Sequence, residues 1–236
     1  MSSEQIKPTD SSKFLFVIEA ISRQTGSIVD EFFLEAESRQ AVCQLVEGID
    51  AEAWAKRRMS FDIGYDETER EEAERLAAFF NLSIDLNDNF LRLGDRSPLD
   101  DFPYKVHTNR ELKMMLEGNK PLSAFCDVFP ANHGFEVIPE RYFDPYVSKG
   151  VLIKQEHIRR SSSGRDDTRM VLYATPKEEW RIKAYILLWE TVAKAGWNEG
   201  FERMEGSLLG YEEWQNDWFI ENRYRRKPVA SDSNDK

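Results

Sequence analysis

The chain has 236 residues, of which 41% are hydrophobic and 12% aromatic, and this composition is too apolar for a wholly disordered protein. Its formal net charge is −11, and the first hundred residues alone carry 21 acidic and 11 basic side chains. Because such a charge repels nucleic acid and anionic membranes at long range, either partner requires a local basic patch.

Both ends of the chain have the composition of disordered tails. Residues 1–12 lack the basic segment and apolar run of a secretory signal, and residues 227–236 are again polar. No stretch approaches the roughly 18 consecutive apolar residues of a membrane-spanning helix. Cys43 and Cys126 form no CxxC pair, which favours reduced thiols in a cytoplasmic protein.

The elements of the first half are predicted from hydrophobic spacing and turn residues. They are a β-hairpin over 13–22 and 28–34, a short helix over 41–48, a strand over 59–63 and a helix that Asp66 caps. The stretch 83–104 is rich in Asp, Asn, Gly and Pro, with one short strand near 90–93. We expect 13–226 to form one domain, and 83–104 is where an internal boundary would fall.

The central elements are a helix followed by strands. Thr108 and Glu111 have the spacing of a capping box, and Gly118 ends the helix that they begin. Strands are predicted over 122–126, 135–138, 151–158 and 169–173, with Pro130, Pro139 and Pro145 in the turns between them. The last two strands are expected to pair as a hairpin around the serine run 161–163.

The carboxyl-terminal third is predicted to be helical. Thr175 and Glu178 form a second capping-box spacing, Pro176 suits the first helical position, and apolar residues recur at helical spacing up to Gly196. Two further helices are predicted over 198–205 and 211–224. The expected fold is α+β, with a predominantly antiparallel sheet, helices packed on one side and a helical carboxyl-terminal third.

Five of the six tryptophans fall between Trp180 and Trp218, among glycines and carboxylates. Trp180 and Trp189 belong to the predicted helix, so a functional account is needed mainly for 197–218. Aromatic residues in this stretch could form a binding surface: Trp197, Tyr211, Trp214 and Trp218. Its carboxylates could instead flank a glycosidic bond or hold a polar small molecule: Glu199, Glu202, Glu205, Glu212 and Asp217. The simpler interpretation is that the rings are buried and the carboxylates solvated.

Two other clusters invite a functional interpretation. Cys126 lies close in sequence to His133, but sequence proximity is no evidence of catalytic geometry, so a buried thiol and a turn explain them better. The hairpin 154–169 carries the main basic patch, formed by Arg159, Arg160, Arg165 and Arg169. These arginines could contact phosphates, although acidic neighbours could equally balance their charge.

The common catalytic and nucleotide-binding motifs are missing from the sequence. It contains no GxxxxGK[ST], GxGxxG, GxSxG or HExxH, and we expect no cofactor and no metal site. The leading hypothesis is a non-catalytic interaction or regulatory protein that binds another protein through its acidic first half and its aromatic carboxyl-terminal third. The alternative is an enzyme with a carboxylate and aromatic site in 197–218, and nucleic-acid contact through 154–169 ranks third.

Overall fold

A computed structural model describes residues 13–46, 49–57, 60–66, 69–130, 137–160 and 167–225. Both predicted tails, the serine run 161–163, Arg165 and His133 lie outside the described residues. The chain divides into two compact units, residues 1–110 and residues 111–236. The expectation that 13–226 forms one domain stays a prediction.

The first unit is built on a four-stranded antiparallel sheet of order β2-β1-β4-β3. Its elements are β1 (Phe14–Ser22), β2 (Ile28–Ala36), α1 (Arg39–Cys43), α2 (Ala51–Arg57), β3 (Phe61–Ile63), α3 (Arg70–Phe79) and β4 (Asn89–Asp95). A 3-10 turn follows over Pro98–Asp101. The predicted hairpin is confirmed, and the strand predicted near 90–93 is β4, which pairs with both β1 and β3.

One face of this sheet forms the core of the first unit. Phe16 and Ile18 of β1 and Leu91 and Leu93 of β4 are buried against residues of α1, α2 and α3. Trp54 of α2 has no exposed surface, and its ring packs edge-on against Phe14 and Phe61. The helices described in this unit therefore all cover the same face, as predicted.

The opposite face of the same sheet carries charged side chains. Glu19 of β1 lies directly across from Glu31 of β2 and from Arg92 of β4. Glu31 forms ion pairs with Arg110 and Lys105. Burial raises the pKa of Glu19, and the nearby Glu31 adds to this while Arg92 opposes it. A cleft of about 300 Å³ lies between this face and the segment 99–110.

The second unit is built on a three-stranded antiparallel sheet of order β5-β7-β6. Its elements are α4 (Glu111–Leu116), β5 (Leu122–Phe129), α5 (Glu140–Ser148), β6 (Ile153–Arg159), β7 (Asp167–Ala174), α6 (Trp180–Ala195), α7 (Glu199–Leu209) and α8 (Glu213–Phe219). A 3-10 turn over Pro176–Glu178 precedes α6, and a π-helical turn over Ile220–Tyr224 follows α8. The predicted pairing of the last two strands is confirmed.

Helices cover both faces of the second sheet. On one face, Val171 and Tyr173 of β7 pack against Leu112 of α4 and Phe143 of α5. On the other, Met170 and Leu172 pack against Ile182 and Tyr185 of α6. Because successive side chains of a strand point to opposite faces, the apolar run in β7 supplies both cores. The α+β class, with antiparallel sheets and a helical carboxyl-terminal third, is confirmed.

Several local predictions were wrong. Helix α2 was not predicted, and α5 was predicted as turns because Pro139 and Pro145 punctuate it; Pro139 instead caps α5 and Pro145 lies inside it. Val137 and Ile138, the described end of the strand predicted over 135–138, form a bend before α5. Thr175 makes no side-chain cap, because a 3-10 turn separates it from α6.

Candidate functional site

Helices α6 and α7 form an antiparallel hairpin in the second unit. Gly196 ends α6 with a positive φ of 78°, and the Asn198 side chain caps α7 by accepting a hydrogen bond of 3.1 Å from the Phe201 backbone amide. Arg181, near the start of α6, donates a hydrogen bond of 2.8 Å to the carbonyl of Ser207, near the end of α7. The two helices therefore run side by side along most of α7.

Helix α7 is held at three further points. The Tyr185 hydroxyl of α6 donates to the Glu205 carboxylate at 2.7 Å. At its carboxyl end, the buried Lys120 ammonium donates to the Leu209 carbonyl at 3.0 Å. A side chain at Gly206 would meet Asn216 of α8, since a Cβ there would lie 1.9 Å from the Asn216 Oδ1. A larger residue at Gly206 would therefore require the Asn216 side chain to move.

The five candidate carboxylates contact different side chains, except that Glu199 and Asp217 share Arg203. Glu202 accepts a hydrogen bond from the Trp197 indole, and Glu212 accepts one of 2.7 Å from the Trp214 indole. The other three contacts involve arginines or a tyrosine: Glu199 with Arg225 and Arg203, Asp217 with Arg203, and Glu205 with Tyr185. The charge of Glu202 also acts on Glu205, so two pairs of the five lie near each other.

The pKa of the Glu205 carboxyl is raised above its ordinary value. Desolvation by burial is the main cause, and the charge of Glu202 adds to it, while the Tyr185 hydrogen bond opposes it. Burial likewise raises the pKa of the Tyr185 hydroxyl. The pair therefore keeps a proton between two oxygens in an apolar setting, which ties α6 to α7.

The four candidate aromatic residues differ in their surroundings. Trp197 is half-buried, with its ring 5.4 Å from that of Trp189. Tyr211 is also half-buried, and the Lys120 ammonium lies 5.8 Å from its ring centre. Trp218 is half-buried, whereas Trp214 is 47% exposed. The binding surface predicted from these four residues stays a prediction, and Trp214 is its most accessible member.

The described members of the basic patch contact aromatic or acidic side chains. Arg159 lies over the Trp189 ring at 5.4 Å. Arg160 pairs with Asp167 at 2.8 Å, and Arg169 pairs with both Glu140 and Glu156. The latter network holds the pKa of Glu140 at about 2, mainly through the Arg169 hydrogen bonds. Carboxylates of the same unit therefore balance the charges of Arg160 and Arg169.

Cys126 is exposed, whereas a buried thiol was expected, and the pKa of its thiol is not lowered. Desolvation raises its pKa, and the charge of Glu205 adds to this effect while Arg159 opposes it. A reactive cysteine needs the opposite shift, toward the thiolate. Cys126 of β5 and His157 of β6 lie on either side of Met170 in the sheet. The Nε2 atom of His157 lies 3.8 Å from the Glu190 carboxylate of α6.

A groove of about 500 Å³ with a mainly apolar lining lies between α6 and α7. We call it the α6–α7 groove; it is lined by Ala184, Leu187, Leu188, Thr191, Phe201, Arg203, Met204, Ser207 and Leu208. Leu187 is 63% exposed and Met204 is 56% exposed. None of the five candidate carboxylates belongs to the lining. The groove can accept apolar side chains, with the Arg203 guanidinium as a charged group in its wall.

Sequence reasoning missed the residues of this groove. The residues that recur at helical spacing on α6 correctly include the buried Ile182 and Tyr185. Leu187 lies outside that stripe. A helix with large apolar residues on two faces is normally packed against other elements on both of them. That excess of apolar residues was the available signal. It could not show that α7 covers only part of the second side.

Among the residues that the structure describes, no group of three or more histidine, cysteine or carboxylate side chains could hold a metal ion. The described helices are all too short or too polar to cross a membrane. Comparison with protein-family models, with curated proteins and with solved structures found no match to this chain.

Proposed function

We propose that this protein is a non-catalytic interaction protein that binds an apolar segment of another protein in the α6–α7 groove. The observation that carries the proposal is the exposure of Leu187 and Met204 within a concave apolar lining. Grooves of this kind accept the apolar face of a helix, and methionine adapts its shape to different partners. The proposal places the contact in the aromatic carboxyl-terminal third; the contact through the acidic first half stays a prediction.

The arrangement of α7 supports a binding role for the groove. Leu188 lines the groove but is buried, whereas Leu187 and Met204 in the same lining are largely exposed. Burial of such side chains by a partner contributes about 1.5–3 kcal/mol each when complete. Two of them on facing helices can therefore anchor a short segment.

The experiment measures binding of synthetic amphipathic peptides to the full chain by fluorescence polarisation. Leu187→Ser and Met204→Ser each remove an anchor, and we expect each to weaken binding about tenfold or more. Val151→Ser is the matched control, because Val151 is a 43% exposed apolar residue of the same unit outside the groove. Equal affinity of the groove variants and the control would contradict the proposal.

An enzyme with a site in 197–218 is the second candidate. It is supported by the raised pKa of Glu205 beside aromatic rings, a setting that can keep a general acid protonated. We rank it lower because Glu205 already accepts the Tyr185 hydroxyl. Tryptophan fluorescence titrations with a panel of mono- and oligosaccharides test it, and an unchanged spectrum throughout removes the sugar-binding version.

We also propose a cytoplasmic location. Cys43 and Cys126 are both free thiols, as expected in a reducing compartment. Fractionation of the native cells tests this proposal. Nucleic-acid binding through the basic hairpin remains the third candidate, and an affinity that does not fall with added salt would remove it.

A further inference from the structure

The outward face of α6 combines exposed apolar side chains with exposed charges of both signs. Trp180 and Leu187 are largely exposed and stand seven residues apart, which is two turns of the helix. Residues three, four, seven or eight positions from Leu187 share its side of the helix. Four exposed charged residues occupy such positions: Glu179, Lys183, Glu190 and Lys194.

The four charges alternate in sign along this face. From the amino end of the helix, a glutamate precedes a lysine, and after Leu187 a second glutamate precedes a second lysine. Within the described parts of the chain, Glu179, Lys183 and Lys194 take part in no ion pair. Glu190 approaches His157, but its side chain remains 48% exposed. All four charges can therefore be reached by a molecule that lies along α6.

The order of the charges makes this face complementary to itself. Lys183 and Glu190 stand four residues before and three after Leu187, and Glu179 and Lys194 stand eight before and seven after it. A twofold axis beside Leu187 therefore brings Lys183 opposite Glu190 of a second copy and Glu179 opposite Lys194 of that copy. Each contact forms twice, because the interface is isologous.

Only the antiparallel arrangement has this complementarity. In a parallel pair, each of the four residues would face its own counterpart, and like charges would meet at every position. Opposed charges fix the register and the direction of a contact, whereas juxtaposed like charges oppose it. The charges of this face thus select a second α6 that runs in the opposite direction.

The α6–α7 groove beside this face can take a leucine of the second copy. Ala184 and Thr191, one turn before and after Leu187, line the groove with small side chains. The Thr191 hydroxyl already donates to the Leu187 carbonyl at 2.7 Å, so it needs no partner in the groove. Met204 of α7 is exposed in the same lining. A leucine can enter the hollow among these side chains, as knobs enter holes between packed helices.

We infer that two copies of this chain pair antiparallel along α6, with Leu187 of each copy in the α6–α7 groove of the other and with Lys183 and Glu179 of each facing Glu190 and Lys194 of the other. This inference goes beyond the proposed function, because it places a second copy on the groove when no other protein is bound. A segment of another protein then competes with the second copy for the groove.

The first test measures the molar mass of the full chain by sedimentation equilibrium at increasing protein concentration. One pair of helices makes a small interface, so we expect a dimer with a dissociation constant on the order of 10–100 µM. Leu187→Ser removes the central apolar contact from both copies and should weaken the dimer about tenfold or more. A monomer at every concentration up to about ten times that dissociation constant would overturn the inference.

Charge reversals then distinguish this dimer from any other. Lys183→Glu alone places two carboxylates opposite each other across the interface, and Glu190→Lys alone places two ammonium groups there. Each variant alone should weaken the dimer about tenfold or more. An equimolar mixture of the two variants restores both contacts between opposite charges, so a heterodimer about as tight as the unaltered dimer should form.

The control for the reversals is Lys149→Glu. It changes the net charge as Lys183→Glu does, at an exposed lysine of the same unit outside the groove lining. This variant should dimerise like the unaltered protein. A dimer that neither reversal weakens, or reversed variants that stay apart when mixed, would overturn the antiparallel pairing.

The outcomes separate this inference from the proposed function. A monomeric chain that binds amphipathic peptides, with affinity that Leu187→Ser lowers, overturns the dimer and leaves the proposed function. A dimer that shows the expected charge reversal and recovery, but no binding of any peptide when it is diluted to monomer, leaves the inference and removes the proposed function.

Discussion

The two units of this protein complete their sheets in different ways. In the first unit, helices cover one face of the sheet, and the other face carries Glu19, Glu31 and Arg92. In the second unit, helices cover both faces, and the exposed apolar surface lies on the outer side of those helices, at Leu187 and Met204. The second face of the first sheet is partly covered by the segment 99–110, whose basic side chains pair with Glu31. The apolar surface at Leu187 and Met204 has no such cover among the described residues, which is why we look for a partner there.

The strongest test of this contrast compares a core aromatic residue of the first unit with the exposed leucine of the second. Trp54 is fully buried in α2, so Trp54→Ala should lower the free energy of unfolding by about 3–5 kcal/mol. Urea denaturation followed by circular dichroism measures the loss. Trp54→Phe, which keeps a ring in the site, should lose less, and a loss below about 1 kcal/mol in Trp54→Ala would show that this core is misassigned.

The second test concerns a charge that the second unit buries. Burial lowers the pKa of Lys120 from 10.5 to about 8. Between these values the unfolded chain binds more protons than the folded chain, so stability rises with pH over this window, by about 3 kcal/mol in total. Lys120→Met should abolish this contribution, as measured by urea denaturation from pH 8 upward. Lys149→Met, at an exposed lysine, is the control and should keep the rise of stability with pH. The same rise in Lys120→Met as in the unaltered protein would show that Lys120 does not cause it.

A third test addresses the charged face of the first unit. The pKa of Glu19 is raised by burial, so its ionised form destabilises the fold at neutral pH, and stability falls as pH rises from 4.5 through the folded-state pKa. Glu19→Gln should therefore raise the free energy of unfolding at pH 7 by about 0.5–1 kcal/mol, in line with removal of a like-charge pair across strands. The gain should vanish near pH 4. Glu35→Gln, at an exposed position of β2, serves as the control. A lower free energy of unfolding in Glu19→Gln would show that the attraction between Glu19 and Arg92 outweighs the cost of burying the carboxylate.

The smallest expected effect on stability comes from the groove itself. Leu187 is 63% exposed, so Leu187→Ser should change the free energy of unfolding by no more than about 0.5 kcal/mol. The same substitution should weaken peptide binding about tenfold. Thermal denaturation and fluorescence polarisation on one preparation give both values. A large loss of stability would mean that Leu187 belongs to the core, and the contrast between the units would then disappear.

The elements that depend on local spacing were predictable from the sequence. The β1–β2 hairpin follows from two apolar strands around a glycine turn, and α6 follows from its apolar stripe and its end at Gly196. Helix α5 was missed because its two prolines outweigh its short apolar pattern, whereas burial of Phe143 stabilises it. Helix α2 is seven residues long and was missed, although it contains Trp54.

The candidate site was less predictable, because it depends on tertiary packing. The sequence located tryptophans and carboxylates in 197–218, but it could not show that indoles would donate to Glu202 and Glu212. Nor could it show which side of α6 would remain exposed. Leu187 and Leu188 are adjacent in sequence, yet one projects into solvent and the other is buried. Successive side chains lie about 100° apart around a helix, so the two leucines have different surroundings.

The attachment of α7 has a consequence for the kinetics of binding. Tyr185 holds the middle of this helix, Lys120 holds its end, and Gly206 lets α8 pack closely against it. Because α7 is held at its middle and at its end, we expect the groove wall to rearrange little when the proposed partner binds. Ordering of the incoming helix then sets the main entropic cost. Partners that are already helical in solution should associate faster than disordered ones with the same side chains.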